Sequence, residues 1–205
     1  MTDYINGEVR PKVIIFVRHG QSETNRRGIV SSAVEGYPLT EKGIEQAHRA
    51  AGTIASLPRV DAIYSSPVLR ARQTAEILGE RIGLAPMMDW RLRERWFGQL
   101  EDKPEPLDDG SWKLDPKNGL MPWDELRKGM DAFIRESLGK MVVAVTHGDN
   151  MSAVCDSMDN KGERLHISSY PGNCRFVIID AKKQKLIAYD VDSVPKELIG
   201  RSSKE

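Results

Sequence analysis

Two short apolar runs in this sequence end in the same way. "IIFVRHG" delivers Arg18, His19 and Gly20, and "VVAVTHG" delivers His147 and Gly148. A strand buried among apolar neighbours gains nothing from an imidazole or a guanidinium at its tip unless the tip faces a ligand. Ligands of open parallel sheets sit beyond the carboxyl ends of the strands, so both histidines are expected at one sheet edge. A third signal is "SPVLRARQ". Ser66 and Pro67 read as an N-cap and a first helical residue, which sets Arg70 in the first turn. A cation beside the free N–H groups of a helix start favours an anion. Two arginines, two histidines and a helix end around one point describe a phosphate pocket with a nucleophile inside.

The elements that must hold these groups alternate between strand and helix. Val13–Val17 is a β-branched apolar run of the kind buried on both faces of a sheet. "PLTEKGIEQAHRAAGTIASL" reads as a helix with Thr40 as N-cap, Glu41 in the first turn and a stripe of Ile44, Ala47, Ala51, Ile54 and Ala55. "VDAIYSS" is a second strand, and the helix that follows stops at Gly83. A helix at about 123–138 returns the chain to "KMVVAVTHGD", and "RFVIIDAKKQKLIAYDVD" closes as a hairpin turning near Lys182–Gln184. The pattern predicts an α/β fold of three layers, α/β/α, around a mostly parallel central sheet. One domain is expected over residues 1–205, with an N-terminal extension at 1–11 and a loose tail at 195–205. Between 97 and 121 a polar, proline-rich stretch reads as a lid or insert.

Bulk properties narrow the function by exclusion. Thirty basic and thirty acidic side chains cancel, so nothing global attracts nucleic acid or an anionic membrane. No apolar run approaches a membrane span, and "MTDYINGEVRPK" lacks the apolar segment of a secretory signal. Cys155 and Cys174 give neither a disulfide framework nor a metal-ligand spacing and read as small apolar residues. The expectation is a cytoplasmic protein, monomer or homodimer, acting on a small phosphorylated substrate, with a phosphoprotein as the other possible partner. The sequence holds no close His pair and no His/Cys cluster, so no metal and no cofactor is expected.

The segments "FVRHGQSETN", "PLTEKGIEQA", "YSSPVLRARQTAEIL", "RLRERWFGQLE" and "VAVTHGD", in this order, resemble the histidine phosphatase superfamily, which contains phosphoglycerate mutases and phosphatases. The resemblance implies a phosphoglycerate mutase-like fold and a metal-independent reaction through a phosphohistidine on His19. It implies that Arg18, Arg70 and His147 hold the transferring oxygens and that Asn25 contacts the phosphate or water, with Gly148 beside the second histidine. Glu94 matches the family's proton donor. The mutases carry further Lys and Arg after that donor, whereas "QLEDKPEPLDDGSW" here is acidic and proline-rich. "HGDNMSAV" also departs from them, so a phosphatase is the expectation, with a mutase-type phosphotransferase or a non-catalytic phospho-ligand reader as alternatives. "NGLMPWDEL" replaces a Gly-Glu-Ser segment common in the phosphatases, and the substrate stays open.

Each residue also has a plainer reading. Arg18 and His19 alone would be a capped strand end. Glu94, among Arg91, Arg93 and Arg95, could be a surface ion pair, and those arginines with Arg26 and Arg27 a solvated face or a positive mouth. His48 reads as a packed or rim residue, and His166 carries no signal. Trp112 and Trp123 suit either a substrate wall or an anchor for the insert. "YDVDSV" fits the motif of aspartate-nucleophile phosphatases through Asp190 and Asp192. Only fifteen residues follow Asp190, too few for the remaining groups such enzymes need, so the stretch reads as a strand end.

Overall fold

The structure is a computed structural model, and it describes residues 4–5, 8–9, 12–104, 119–158 and 170–199. A small antiparallel pair, β1 (Tyr4–Ile5) and β2 (Glu8–Val9), precedes the main body. Then follow β3 (Val13–Arg18), α1 (Glu23–Arg27), α2 (Glu41–Ala55), β4 (Ala62–Ser65), α3 (Leu69–Ile82) and β5 (Met87–Met88). Short 3-10 turns at Trp90–Leu92 and Gly98–Leu100 lead to α4 (Trp123–Glu136), β6 (Met141–Thr146) and α5 (Gly148–Ser157). The hairpin β7 (Phe176–Asp180) and β8 (Lys185–Val191) and a last turn, α6 (Lys196–Ile199), complete the described chain.

Six strands form one sheet in the order β5-β4-β6-β3-β7-β8. Pairings of β3 with β6, β4 with β6 and β4 with β5 are parallel, while β7 runs antiparallel to both its neighbours. The period-2 geometry of a strand sends alternate residues of β3 to opposite faces. Val13, Ile15 and Val17 pack with Ala47, Ile54 and Leu78 of α2 and α3. Ile14 and Phe16 pack with Met130, Phe133 and Val154 of α4 and α5. Both faces are dry, each fully buried Ile or Phe contributing about 1.5–3 kcal/mol of burial. This is the expected three-layer arrangement.

Several details depart from the sequence reading. Ile44 is 41% exposed and Ala55 is exposed, while Gly43 and Ala50 turn inward, so the buried stripe of α2 is rotated toward the smaller residues. Gly43 has to be small, because a Cβ there would lie 2.0 Å from the Gln21 carbonyl oxygen. Ser66 is not the cap of α3. The helix begins at Leu69 after Val68, and the Ser66 hydroxyl accepts from the Val68 N–H and meets His147 instead. Arg70 keeps its first-turn place all the same, and Gly83 ends α3 at φ +72° as expected. Within the segment from 195, α6 sets Leu198 and Ile199 against the α2/α3 core.

The two ends of the expected insert are packed too. Phe97 and Leu120 bury against Val30, and Val30 exchanges backbone bonds with Asp102 and Lys103. Glu101 is no part of an acidic rim: it accepts from the Ser32 amide at 2.9 Å and from the Phe97 amide at 2.9 Å. Trp123 opens α4, and its indole N–H donates to Asp156 of α5 at 2.8 Å. Residues 105–118, with Trp112, lie outside the described residues, as does His166. His48 is exposed on α2. Asp190 and Asp192 both bind Arg175 at the hairpin base, a structural pairing that suits the strand-end reading. Cys155 and Cys174 are free and buried. No helix among the described residues is long and apolar enough to cross a membrane.

Candidate active site

Register brings the two histidines together. Arg18 of β3 lies opposite Thr146 of β6 in a parallel pair, so the next residues, His19 and His147, leave the sheet side by side. Their ring centroids are 5.1 Å apart. His19 is 2% exposed. Its Nδ1–H donates to the Gly20 carbonyl at 2.7 Å, and its Nε2 accepts from Arg70 Nε at 3.1 Å. A guanidinium only donates and a carbonyl only accepts, so both bonds require the same neutral tautomer, with the lone pair on Nε2. Burial, with Arg70 and Arg18 nearby, holds the imidazole well below its ordinary pKa and therefore uncharged at neutral pH.

The loop after β3 is fixed from two sides. The Gly20 amide donates to Thr74 Oγ1 at 3.0 Å, and that hydroxyl donates to the Arg70 carbonyl at 2.8 Å. One turn of α3 thus sets both the His19 loop and the Arg70 cation. A Cβ on Gly20 would fall 2.4 Å from the Gly43 carbonyl oxygen, so the loop after β3 runs hard against the start of α2 at this point. Asn25 Oδ1 accepts from the Ser22 amide at 3.1 Å and from Asn173 Nδ2 at 3.2 Å, leaving its own amide nitrogen to donate. Asn173 also donates to the His19 carbonyl at 3.0 Å.

Arg70, 2% exposed, is the centre of the cluster. Its Nη2 donates to the Ser31 carbonyl at 2.8 Å and lies 3.4 Å from His147 Nδ1 and 3.6 Å from Glu94 Oε2. Arg18 Nη1 donates to the Pro171 carbonyl at 2.7 Å. Arg70 Nη1 and Arg18 Nε are buried with no partner among the described residues. Buried donors of that kind call for an acceptor, and an oxyanion supplies one. His147 Nε2 meets Ser66 Oγ at 2.8 Å, and burial and the arginines keep this ring neutral too. Gly148 opens α5, where a Cβ would press the Tyr170 ring at 3.1 Å.

Glu94 is not a surface ion pair. Its side chain is 11% exposed, with Oε2 3.3 Å from His147 Nδ1 and Oε1 accepting the Arg95 amide at 3.0 Å. Burial first, and the charge of Asp149 second, push its pKa up to about 8 against the pull of Arg70. Both causes favour its protonated form. The arginines around it divide. Arg91 turns outward to Asp89 and Glu136, Arg93 reaches the Ser32 carbonyl between Trp90 and Trp96, and Arg95 is buried beside Asp149. Arg26 and Arg27 are exposed and pair with Glu23, so they form a solvated face.

The fold therefore gathers Arg18, His19, Arg70, Glu94 and His147, and it makes the close histidine pair that sequence spacing did not show. Donor atoms of His19, Glu94 and His147 all lie within 4.8 Å of one another, a set that could hold a metal ion. The Arg70 guanidinium, bonded among those three groups, already supplies the cation there. Sequence reasoning missed Ser66, Thr74, Asp149, Tyr170 and Asn173. Asp149 was within reach, two residues from His147 in "THGD"; Tyr170 and Asn173 stand in a connection with no local signal.

These features are those of a phosphoryl-transfer superfamily. Residues 14–190 match the histidine phosphatase superfamily, branch 1, and the chain belongs to it. Among its relatives is a 2,3-bisphosphoglycerate-dependent phosphoglycerate mutase of Thermoplasma acidophilum, 29% identical over 198 residues, 91% of this chain and 98% of that one. A putative phosphoserine phosphatase 2 of Hydrogenobacter thermophilus is 32% identical over 157 residues, 70% of this chain and 76% of that one. A mycobacterial glucosyl-3-phosphoglycerate phosphatase superposes with a TM-score of 0.70 over 88% of this chain and 99% of its own; at 20% identity this is a likeness of fold.

Proposed function

We propose that the chain is a phosphomonoester hydrolase that works through a phosphohistidine on His19. The observation that carries this reading is the pairing of a neutral, tautomer-fixed His19 with a proton-bearing Glu94 across a buried guanidinium. Nε2 of His19 attacks phosphorus while the bond to the leaving oxygen breaks. Arg70 gives up its bond to Nε2 as that lone pair is used and, with Arg18, His147 and the Asn25 amide, holds the non-bridging oxygens. Charge spreading over those oxygens is where fixed donors lower the barrier most. Glu94 gives its proton to the leaving alkoxide, worth roughly 10²–10⁴-fold. The resulting carboxylate then takes a proton from water as the water attacks phosphorus, the P–N bond breaks and neutral His19 returns. No step needs a metal ion.

Hydrolysis is favoured over transfer to a second substrate position by the segment after Gly98. Besides the turned-in Glu101, residues 99–118 contain five acids, three lysines and no arginine, a poor place to retain a second anionic group. A phospho-ligand reader would need neither the nucleophile nor the acid. The test is phosphate release across a panel of phosphorylated metabolites with His19→Ala as the blank. 3-Phosphoglycerate with its bisphosphate primer is included, and isomerised product is assayed in the same tubes. Phosphate release that depends on His19 supports the hydrolase. Isomerisation without release makes the chain a mutase, like its Thermoplasma relative by name. Neither activity moves the reading to a reader protein.

A further inference from the structure

A second carboxyl is buried in this site, and the reaction just described does not use it. Asp149 stands in the first turn of α5, two residues past His147, and its side chain is 8% exposed. Arg95 Nη1 lies 3.7 Å from its Oδ2, and the Tyr170 phenol stands close enough to hold its pKa down. Neither partner is loose. Arg95 Nε donates to the Met121 carbonyl at 2.8 Å and its guanidinium lies 5.3 Å from the centre of the Trp123 ring. The Tyr170 ring sits against Gly148, where a Cβ would come within 3.1 Å of it.

We propose that Asp149, clamped between Arg95 and Tyr170, is a positioning residue that keeps the proton on Glu94. The inference rests on the reading of Glu94 as the acid. Two carboxyls in one desolvated site do not both ionise cheaply, and the charge settles on the one with better partners. Asp149 has a guanidinium, a phenol and the first turn of a helix, where negative charge is favoured. Glu94 faces Arg70 from α3, Arg18 from the end of β3, His19 from the loop after it, His147 before α5, Asp149 from its first turn, and the Arg95 amide on its own loop. Of these, Arg70 is its nearest cation, and Arg70 is shared with His19 and the Ser31 carbonyl. Burial lifts both carboxyls, while Tyr170, Arg95 and Arg18 pull Asp149 back. The proton therefore stays on Glu94, where a leaving alkoxide can use it.

The test is the pH profile of kcat/KM on an alkyl phosphate for the wild type, Asp149→Asn, Tyr170→Phe and Glu94→Gln. Asp149→Asn removes the neighbouring charge, so the alkaline limb moves about one pH unit toward acid, within the usual range for close like charges. Tyr170→Phe, at a half-exposed ring, moves it the same way by less and covers the case in which the Asn variant fails to fold. A limb that vanishes in Glu94→Gln yet stands still in both other variants overturns the role of Asp149 alone. So does a uniform loss of rate at every pH, which is what a merely structural Asp149 produces. A limb that persists in Glu94→Gln belongs to another group and removes the acid reading itself.

Discussion

His19 and Glu94 are kept apart from their solution behaviour by the same burial, acting in opposite directions. A dry site disfavours the charged form of each, so the imidazole loses its proton and the carboxyl keeps one. In the proposed reaction the base is thereby free to attack and the acid loaded to protonate at one pH. Glu94→Gln should slow alkyl phosphates by about 10²–10⁴-fold and aryl phosphates far less, because a phenolate leaves without help. Equal losses on the two classes, measured as kcat/KM side by side, would show that Glu94 is not the acid. The same residue makes the fold pH-dependent. Its pKa rises from 4.5 to about 8 on folding. Between those values the native chain holds a proton that the unfolded chain has released, so this stability is full below about pH 4.5 and lost as pH rises through 8. Glu94→Gln does not titrate and should gain in Tm over the wild type as pH is raised from about 5 to 8. A difference that stays constant across that range would contradict the burial of a titrating Glu94.

Between elements, what positions the chemistry is backbone against backbone. The loop carrying His19 passes so close to the start of α2 that Gly20 and Gly43 are each denied a Cβ by the other segment's carbonyl. Gly43→Ala would place a methyl 2.0 Å from the Gln21 oxygen. It should cost about 1–3 kcal/mol by overpacking and lower kcat, because the Gln21 loop moves with His19. Gly52→Ala, on the same helix with nothing within 4 Å, should instead gain up to about 1 kcal/mol and leave kcat alone. Urea melts with parallel assays of the two variants check this; equal effects would mean that the close approach does not set the loop. The "PLTEKGIEQA" segment announced a helix, and Thr40 caps it by accepting from Gly43. It did not announce the close approach, because two backbones meeting in space leave no periodic trace. Ser66 shows the same limit from the other side. Its type and place beside Pro67 suit a cap, yet its hydroxyl serves His147 across the sheet.

At the scale of the molecule, two dry faces on a parallel sheet leave the carboxyl edge as the place where polar chemistry collects. That edge was legible because strands buried on both faces are unbroken apolar runs, and a run that ends in Arg-His-Gly or Thr-His-Gly points to its own tip. Residues on strand ends and first helical turns, Arg18, His19, Arg70 and His147, could be read from local pattern. Asp149 was legible only as a neighbour of His147, and Tyr170 not at all, since their roles arise where a helix start, a loop and a late connection converge. The Glu94 loop was legible by resemblance alone, its neighbouring arginines giving no hint of which turn inward. The most direct test of the account is to mix the enzyme with a radiolabelled phosphomonoester, quench without acid within milliseconds, and map the label. The account predicts acid-labile phosphate on His19 that decays to inorganic phosphate in water, and no label in His19→Ala. Label on another residue, or full turnover with none on His19, would contradict it.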